Sequence, residues 1–185
     1  MREPSEDLLL TMKRASAVLK QENIPFALIG GFAVYARGGT SGEHDVDFLI
    51  RQQDADRALE VLAEAGFTPE RPPEDWLVKA YDEGKLVDLI FRPVERPVTT
   101  ETLAQATVLP INGVQVPVMP ADTLMIHKLL ALSQHHCDYG RVLPLARSLR
   151  EQIDWDKVRT ETKESPYAQA FLVLLEMLSV LPEEA

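Results

Sequence analysis

Ile24-Pro25-Phe26-Ala27-Leu28-Ile29-Gly30-Gly31-Phe32-Ala33-Val34-Tyr35-Ala36-Arg37, followed after a short linker by His44-Asp45-Val46-Asp47-Phe48-Leu49-Ile50, is the stretch that decides the fold. A short apolar run that stops at two glycines reads as a buried strand turning sharply. A helix restarts at Phe32, because no breaker intervenes before Gly38-Gly39. The linker Gly38 to Glu43 is rich in Gly, Thr and Ser, and His44 to Ile50 reads as a second strand. Alternation along it puts Asp45, Asp47 and Leu49 on one face and Val46, Phe48 and Ile50 on the other.

Outward from this centre, Asp7 to Glu22 carries Leu8, Leu9, Met12, Ala15, Val18 and Leu19 at helical spacing, an amphipathic opening helix. Asp54 to Ala65 is a second such helix, closed by Gly66. Pro69 to Asp75 reads as a loop. Trp76 to Tyr81 and Lys85 to Phe91 flank Asp82-Glu83-Gly84, a hairpin with a three-residue loop. A second hairpin, Thr107 to Pro110 with Val114 to Val118, turns at Ile111-Asn112-Gly113. From Pro120 onward the chain reads as helices: Ala121 to His135, Tyr139 to Arg150, Asp154 to Thr162 and Tyr167 to Leu181. The last is apolar nearly all round and is expected to be buried, in this chain or against a partner. The fold class is therefore α/β (α+β): a small mixed sheet with helices on it over residues 1–119, then a C-terminal helical region over residues 120–185.

Composition narrows the function classes. Of 185 residues, 45% are hydrophobic and 26% charged, ordinary for a globular chain with a real core. No apolar run is long enough to span a membrane, and the N-terminus lacks a signal-peptide layout. Cys137 is the lone cysteine, which excludes an intrachain disulfide and a cysteine-rich zinc module and points to the cytoplasm. The net charge of -10 argues against a broad grip on nucleic acid. Only residues 101–150 are not acidic, with four cations against three carboxylates.

Two aspartates one residue apart on a strand place their carboxylates on one face, roughly 6 to 7 Å apart at strand rise. Such a pair repels itself, and a divalent cation with oxygen ligands is the natural neutraliser. Ahead of the pair lies a Gly-Gly turn into a helix, where free N–H groups and absent side chains let a phosphate approach the main chain. Asp88 lies in Leu86-Val87-Asp88-Leu89-Ile90-Phe91, a run apolar enough that the carboxylate needs a metal or a proton to abstract. Three carboxylates beside a phosphate cradle are equipment for two-metal phosphoryl transfer. His135-His136 and His127 are set aside as a zinc site because adjacent helical residues point in different directions. Trp76, Trp155 and Tyr167 are read as packing residues.

Gly30-Gly31, thirteen residues, then Asp45-Val46-Asp47 resembles the signature of the polymerase-β-like nucleotidyltransferases, whose minimal bacterial branches include AbiEii and MenT-type toxins and the lincosamide and aminoglycoside nucleotidyltransferases. Val118-Met119-Pro120-Ala121-Asp122, Lys128, and Asp138 ten residues on resemble the AbiEii-like layout. The resemblance, over roughly residues 24 to 150, implies transfer of a nucleoside monophosphate from an NTP to a hydroxyl on a tRNA end, a protein or a small molecule. It implies magnesium, or manganese, on Asp45 and Asp47, with Asp88 as third ligand or general base. Gly30 and Gly31 would hold the triphosphate, Lys128 would contact phosphate, and Asp138 would complete the nucleotide site. Phe32 stands where many members have serine, which leaves the triphosphate to the main chain. The linker is longer than the toxin branch's spacing, which leaves Arg37 and Thr40 without an assigned role. A non-catalytic nucleotide-binding or toxin-antitoxin partner with the same fold is the alternative, and a homodimer or antitoxin-like partner would dock on the C-terminal helices.

Overall fold

The computed structural model describes residues 4–40 and 44–181; linker residues 41–43 lie outside them, as do both chain ends. The opening helix α1 (Glu6–Gln21) is capped by Ser5, whose hydroxyl accepts from the Leu8 N–H, and carries Glu6 and Asp7 in its first turn. Strand β1 (Phe26–Ile29) is buried throughout and passes directly into helix α2 (Gly30–Ala36). Strand β2 (Asp45–Ile50) returns antiparallel to β1, and helix α3 (Ala55–Glu64) follows. Three strands, β3 (Thr68–Glu70), β4 (Leu77–Asp82) and β5 (Lys85–Ile90), build one wing of the sheet. After the short helix α4 (Thr100–Ala104), β6 (Thr107–Ile111) and β7 (Val114–Val118) build the other. Helices α5 (Ala121–Leu130), α6 (Tyr139–Ser148), α7 (Trp155–Thr162) and α8 (Pro166–Met177) complete the described chain.

The seven strands form one mixed sheet in the order β3-β4-β5-β2-β1-β7-β6. Two parallel pairs, β2 with β5 and β1 with β7, sit among antiparallel ones. Helices α1 and α3 pack together on one face. Phe48 stacks edge-on against Phe26 there, with centroids 5.2 Å apart and planes at 87°. Strand alternation turns Asp45, Asp47 and Asp88 to the opposite face. Arg37, at the end of α2, donates from Nε to the Met119 carbonyl at 2.6 Å and from Nη2 to Val118 at 3.1 Å, so it ties α2 to the end of β7.

The mixed sheet, its packed helices and the C-terminal helical region are as expected from the sequence. Four local expectations are corrected. Both hairpins turn on two residues rather than three: Asp82 pairs with Lys85 around Glu83 and Gly84, and Ile111 with Val114 around Asn112 and Gly113. All four turn residues have positive φ, between 44° and 87°, the geometry that matches strand twist in a two-residue hairpin. Thr68–Glu70, two of whose three residues were read as loop because of Pro69, adds an edge strand, where a proline costs no interior ladder bond. Helix α5 ends at Leu130, and Ser133 bridges His136, so His135 and His136 lie on a turn and not on the expected helix. Helix α8 ends at Met177 and buries one face only: Phe171, Leu172 and Leu175 lie inside, while Val173 and Met177 are exposed.

Candidate active site

The parallel pairing of β2 with β5 sets Asp47 directly opposite Asp88, and the antiparallel pairing of β5 with β4 sets Asp88 opposite Lys79. A single row thus crosses three strands: Lys79, Asp88, Asp47. Asp45 stands one pleat away on the same face. One carboxylate oxygen from each of Asp45, Asp47 and Asp88 lies within 4.8 Å of the other two. Among the described residues this is the one group of three such side chains placed to share an ion. Oxygen donors at that spacing suit a hard divalent cation, so the residues fit the metal that the sequence resemblance implies.

Gly30 explains how Asp47 can sit where it does. Its φ is +65°, and a Cβ there would stand 1.9 Å from Asp47 Oδ2. Any side chain would expel the carboxylate, and the backbone conformation itself favours glycine. Gly31 is buried in the first turn of α2. That helix has no side-chain cap, which leaves its first N–H groups to other partners.

Asp88 is buried, 8% exposed. Burial pushes its carboxyl above the ordinary carboxylate range, against the hydrogen bond and charge of Lys79, while Glu70 and Glu74 add to the rise. Lys79 Nζ donates to Asp88 Oδ1 at 3.1 Å. Burial works against that ammonium, but the Asp88 carboxylate prevails and holds its pKa above the ordinary value.

Next to the carboxylates lies a cavity of about 390 Å³ that includes Gly30 and Asp47 in its wall. Aliphatic side chains from five elements, Ile29, Val34, Ile90, Leu124 and Leu145 among them, make most of the lining, with Trp76 set among them. Arg92, His127 and Lys128 supply polar groups. Arg92 pairs with Asp75 at 2.7 Å and Glu95 at 3.0 Å. His127 is pushed down to about 4, by burial first and then by Arg96, so the imidazole is neutral at neutral pH. The loop that follows β5 contributes Val94 and Glu95, at φ 45° and 61°, a strained pair at the cavity edge.

The structure therefore brings Asp45, Asp47, Asp88 and Gly30 together, with Lys128 exposed on α5 in the wall of the same cavity. Asp138 is exposed at the N-terminal end of α6, outside that wall, and its side chain makes no capping bond there. Lys79, Arg92 and His127 were not singled out for this site, and Trp76 was read as packing. A correct hairpin register would have found Lys79, since a two-residue turn at Glu83-Gly84 places it opposite Asp88, whereas a three-residue turn offers Val78.

The fold and the carboxylate face together define a nucleotidyltransferase-like architecture. ANT(2'')-Ia in complex with adenylyl-2''-tobramycin superposes with a TM-score of 0.59 at 16% identity, over 89% of this chain and 97% of that one. The lincosamide antibiotic adenylyltransferase LnuA, lincomycin-bound, gives 0.52 at 13%, over 76% and 96%. An antigenic nucleotidyltransferase-like protein from Paracoccidioides brasiliensis gives 0.53 at 19%, over 91% and 94%. These likenesses are of fold. No curated protein matches the sequence. The chain belongs to the family described as uncharacterised nucleotidyltransferase, whose model matches residues 4–181, within the polymerase-β-like superfamily that the Gly-Gly and Asp-x-Asp spacing resembles.

Proposed function

We propose that this protein is a divalent-metal-dependent nucleotidyltransferase that moves a nucleoside monophosphate from an NTP to the hydroxyl of a small molecule held in the cavity beside Asp47. The observation that carries the reading is the convergence of three carboxylates within 4.8 Å on adjoining strands at the edge of that cavity. Asp45 and Asp47 would hold magnesium or manganese, which when bound neutralises triphosphate charge and makes a hydroxyl more acidic. Main-chain N–H groups of Gly30 and Gly31 receive the triphosphate, and Lys128 meets its oxygens from α5. Asp138 is retained as a nucleotide contact from the N-terminal end of α6. Asp88, whose proton affinity burial raises, takes the proton of the acceptor hydroxyl. The acceptor oxygen bonds to the α-phosphorus, the bond from that phosphorus to the β-phosphate oxygen breaks, and pyrophosphate leaves.

A small-molecule acceptor is favoured by the cavity's size and aliphatic walls, which suit a compact amphipathic molecule. The acidic balance of the chain weighs against an RNA acceptor. Tobramycin and lincomycin, named with the two antibiotic-modifying relatives, are both small molecules. No helix among the described residues is long and apolar enough to cross a membrane.

The test is incubation with magnesium, each α-labelled NTP, and either total tRNA or a panel of hydroxylated small molecules that includes tobramycin and lincomycin. Label in a small molecule, lost in Asp47→Asn, supports the reading. Label in RNA moves the acceptor to tRNA. Absence of label with NTP binding intact by calorimetry points to the non-catalytic nucleotide-binding partner.

A further inference from the structure

Two stripes of side chains run along α5. Leu124, His127 and Lys128, with Ala131 at the helix end, follow helical spacing and line the aliphatic cavity beside Asp47. Thr123, Ile126 and His127, again at helical spacing, line a second and smaller cavity of about 170 Å³. His127 is the one side chain of α5 in both stripes, and with Pro93 it makes the wall that the two cavities share. The second cavity is the more polar, and its cations are paired: Arg96 with Glu161, and Lys157 with Asp122. The charges on that side balance one another, and the imidazole between the cavities is itself neutral, because burial holds its pKa down at about 4. Its Nδ1 is shut off from solvent and has no hydrogen-bond partner among the described residues. A stranded N–H is rarer in folded proteins than a stranded lone pair, so the proton of the neutral ring belongs on Nε2. That leaves Nε2–H as a donor where aliphatic lining gives way to polar.

We propose that His127 selects the acceptor: its Nε2–H donates to a neutral oxygen, whether carbonyl, ether or hydroxyl, on a ligand whose apolar body fills the aliphatic cavity. This rests on the small-molecule reading above and names the substrate class within it, a compact apolar skeleton bearing an uncharged oxygen where it meets α5. A ligand without that oxygen expels water from the donor and returns nothing, which lowers affinity by about tenfold. A protonated amine in the same place has no lone pair to offer and fails for the same reason. His127 acts on binding and not on the chemical step, since the carboxylates proposed for that step lie on β2 and β5 and His127 on α5.

The probes are indanone and indane, flat bicyclic molecules that differ by a carbonyl oxygen, titrated into the full chain without metal or nucleotide and followed by NMR of isotope-labelled histidine rings. The wild-type His127 ring carries its proton on Nε2, and that resonance moves as indanone binds. His127→Leu lowers the ratio of indanone affinity to indane affinity by at least about fivefold. His127→Gln, whose amide places a donor near the same point, keeps the ratio within about twofold of the wild type; circular dichroism melts verify that both variants fold. An unchanged ratio in His127→Leu, a wild-type proton on Nδ1, or no response of His127 to either probe overturns the proposal. Neither metal nor NTP enters the experiment, so its failure is distinct from failure of the transfer reading. A chain that shows this preference yet transfers no label loses the catalytic reading alone, and one that labels a small molecule without the preference loses only the role of His127.

Discussion

Asp82 and Asp88 belong to the same hairpin, six residues apart, and both are buried, yet they face opposite sides of the sheet and are treated differently. On the helix-covered face, Asp82 accepts from Thr11 Oγ1 at 2.8 Å and pairs with Arg14, whose guanidinium also lies over the Phe67 ring, 5.1 Å from its centroid. Each carboxylate oxygen has its own donor. On the open face, Asp88 has one oxygen on Lys79 and lies against two further carboxylates. A buried carboxylate with a donor at each oxygen serves the fold; the one set among its own kind is the one we propose for chemistry. The difference separates a structural aspartate from a candidate functional one without any appeal to motif.

The sharpest way to break this distinction is at Asp47. Asp47→Asn, which removes one charge and leaves the shape, is expected to lower nucleotide transfer by about a thousandfold or more while the melting temperature holds or rises, because self-repulsion falls. A transfer assay beside a thermal melt checks both. Gly30→Ala comes next. Its Cβ would sit 1.9 Å from Asp47 Oδ2 at a φ of +65°, so both stability and transfer fall, by about 1–3 kcal/mol in a denaturant titration.

His127 probes the cavity wall that faces the carboxylates. Its folded pKa of about 4 lies below the unfolded value of 6.5, so the unfolded chain takes up the proton first as pH falls. Its contribution to stability is complete above about pH 6.5 and is lost as pH drops toward 4, by at most about 3 kcal/mol. His127→Leu flattens that part of a urea-against-pH series. The smallest effect is expected on the outer face of α8, where Met177 is 79% exposed. Met177→Lys changes stability by less than about 0.5 kcal/mol, and an unchanged elution volume on gel filtration shows that this face carries no self-association.

Much of the site was readable because its signals are local. Gly30-Gly31 marks the strand end, Asp45 and Asp47 share a face by alternation, and Asp88 stands out in an apolar strand. Lys79 escaped because its place depends on pairing: one residue in the length of the Glu83-Gly84 turn decides whether it or Val78 opposes Asp88. The closeness of Gly30 to Asp47 is likewise a contact between strands, and glycine there was read for phosphate access alone. Strand β3 was hidden by Pro69, whose missing donor matters little at a sheet edge. Helix α5 ended early since Ser133 to His136 closes a small turn, which adjacent polar residues do not announce. On α8 one face is buried within this chain, while Val173 and Met177 lie on the face that the sequence reading left to this chain or a partner.

The most direct test of the account sets Asp88→Asn beside Asp82→Asn, with pyrophosphate release from NTP and denaturant midpoints measured on both. The account predicts that Asp88→Asn folds as firmly as the wild type and loses at least about a hundredfold in release, while Asp82→Asn loses stability by about 1–3 kcal/mol and keeps its activity in the folded fraction. Equal activity in Asp88→Asn and wild type, or an inactive but fully stable Asp82→Asn, would contradict it.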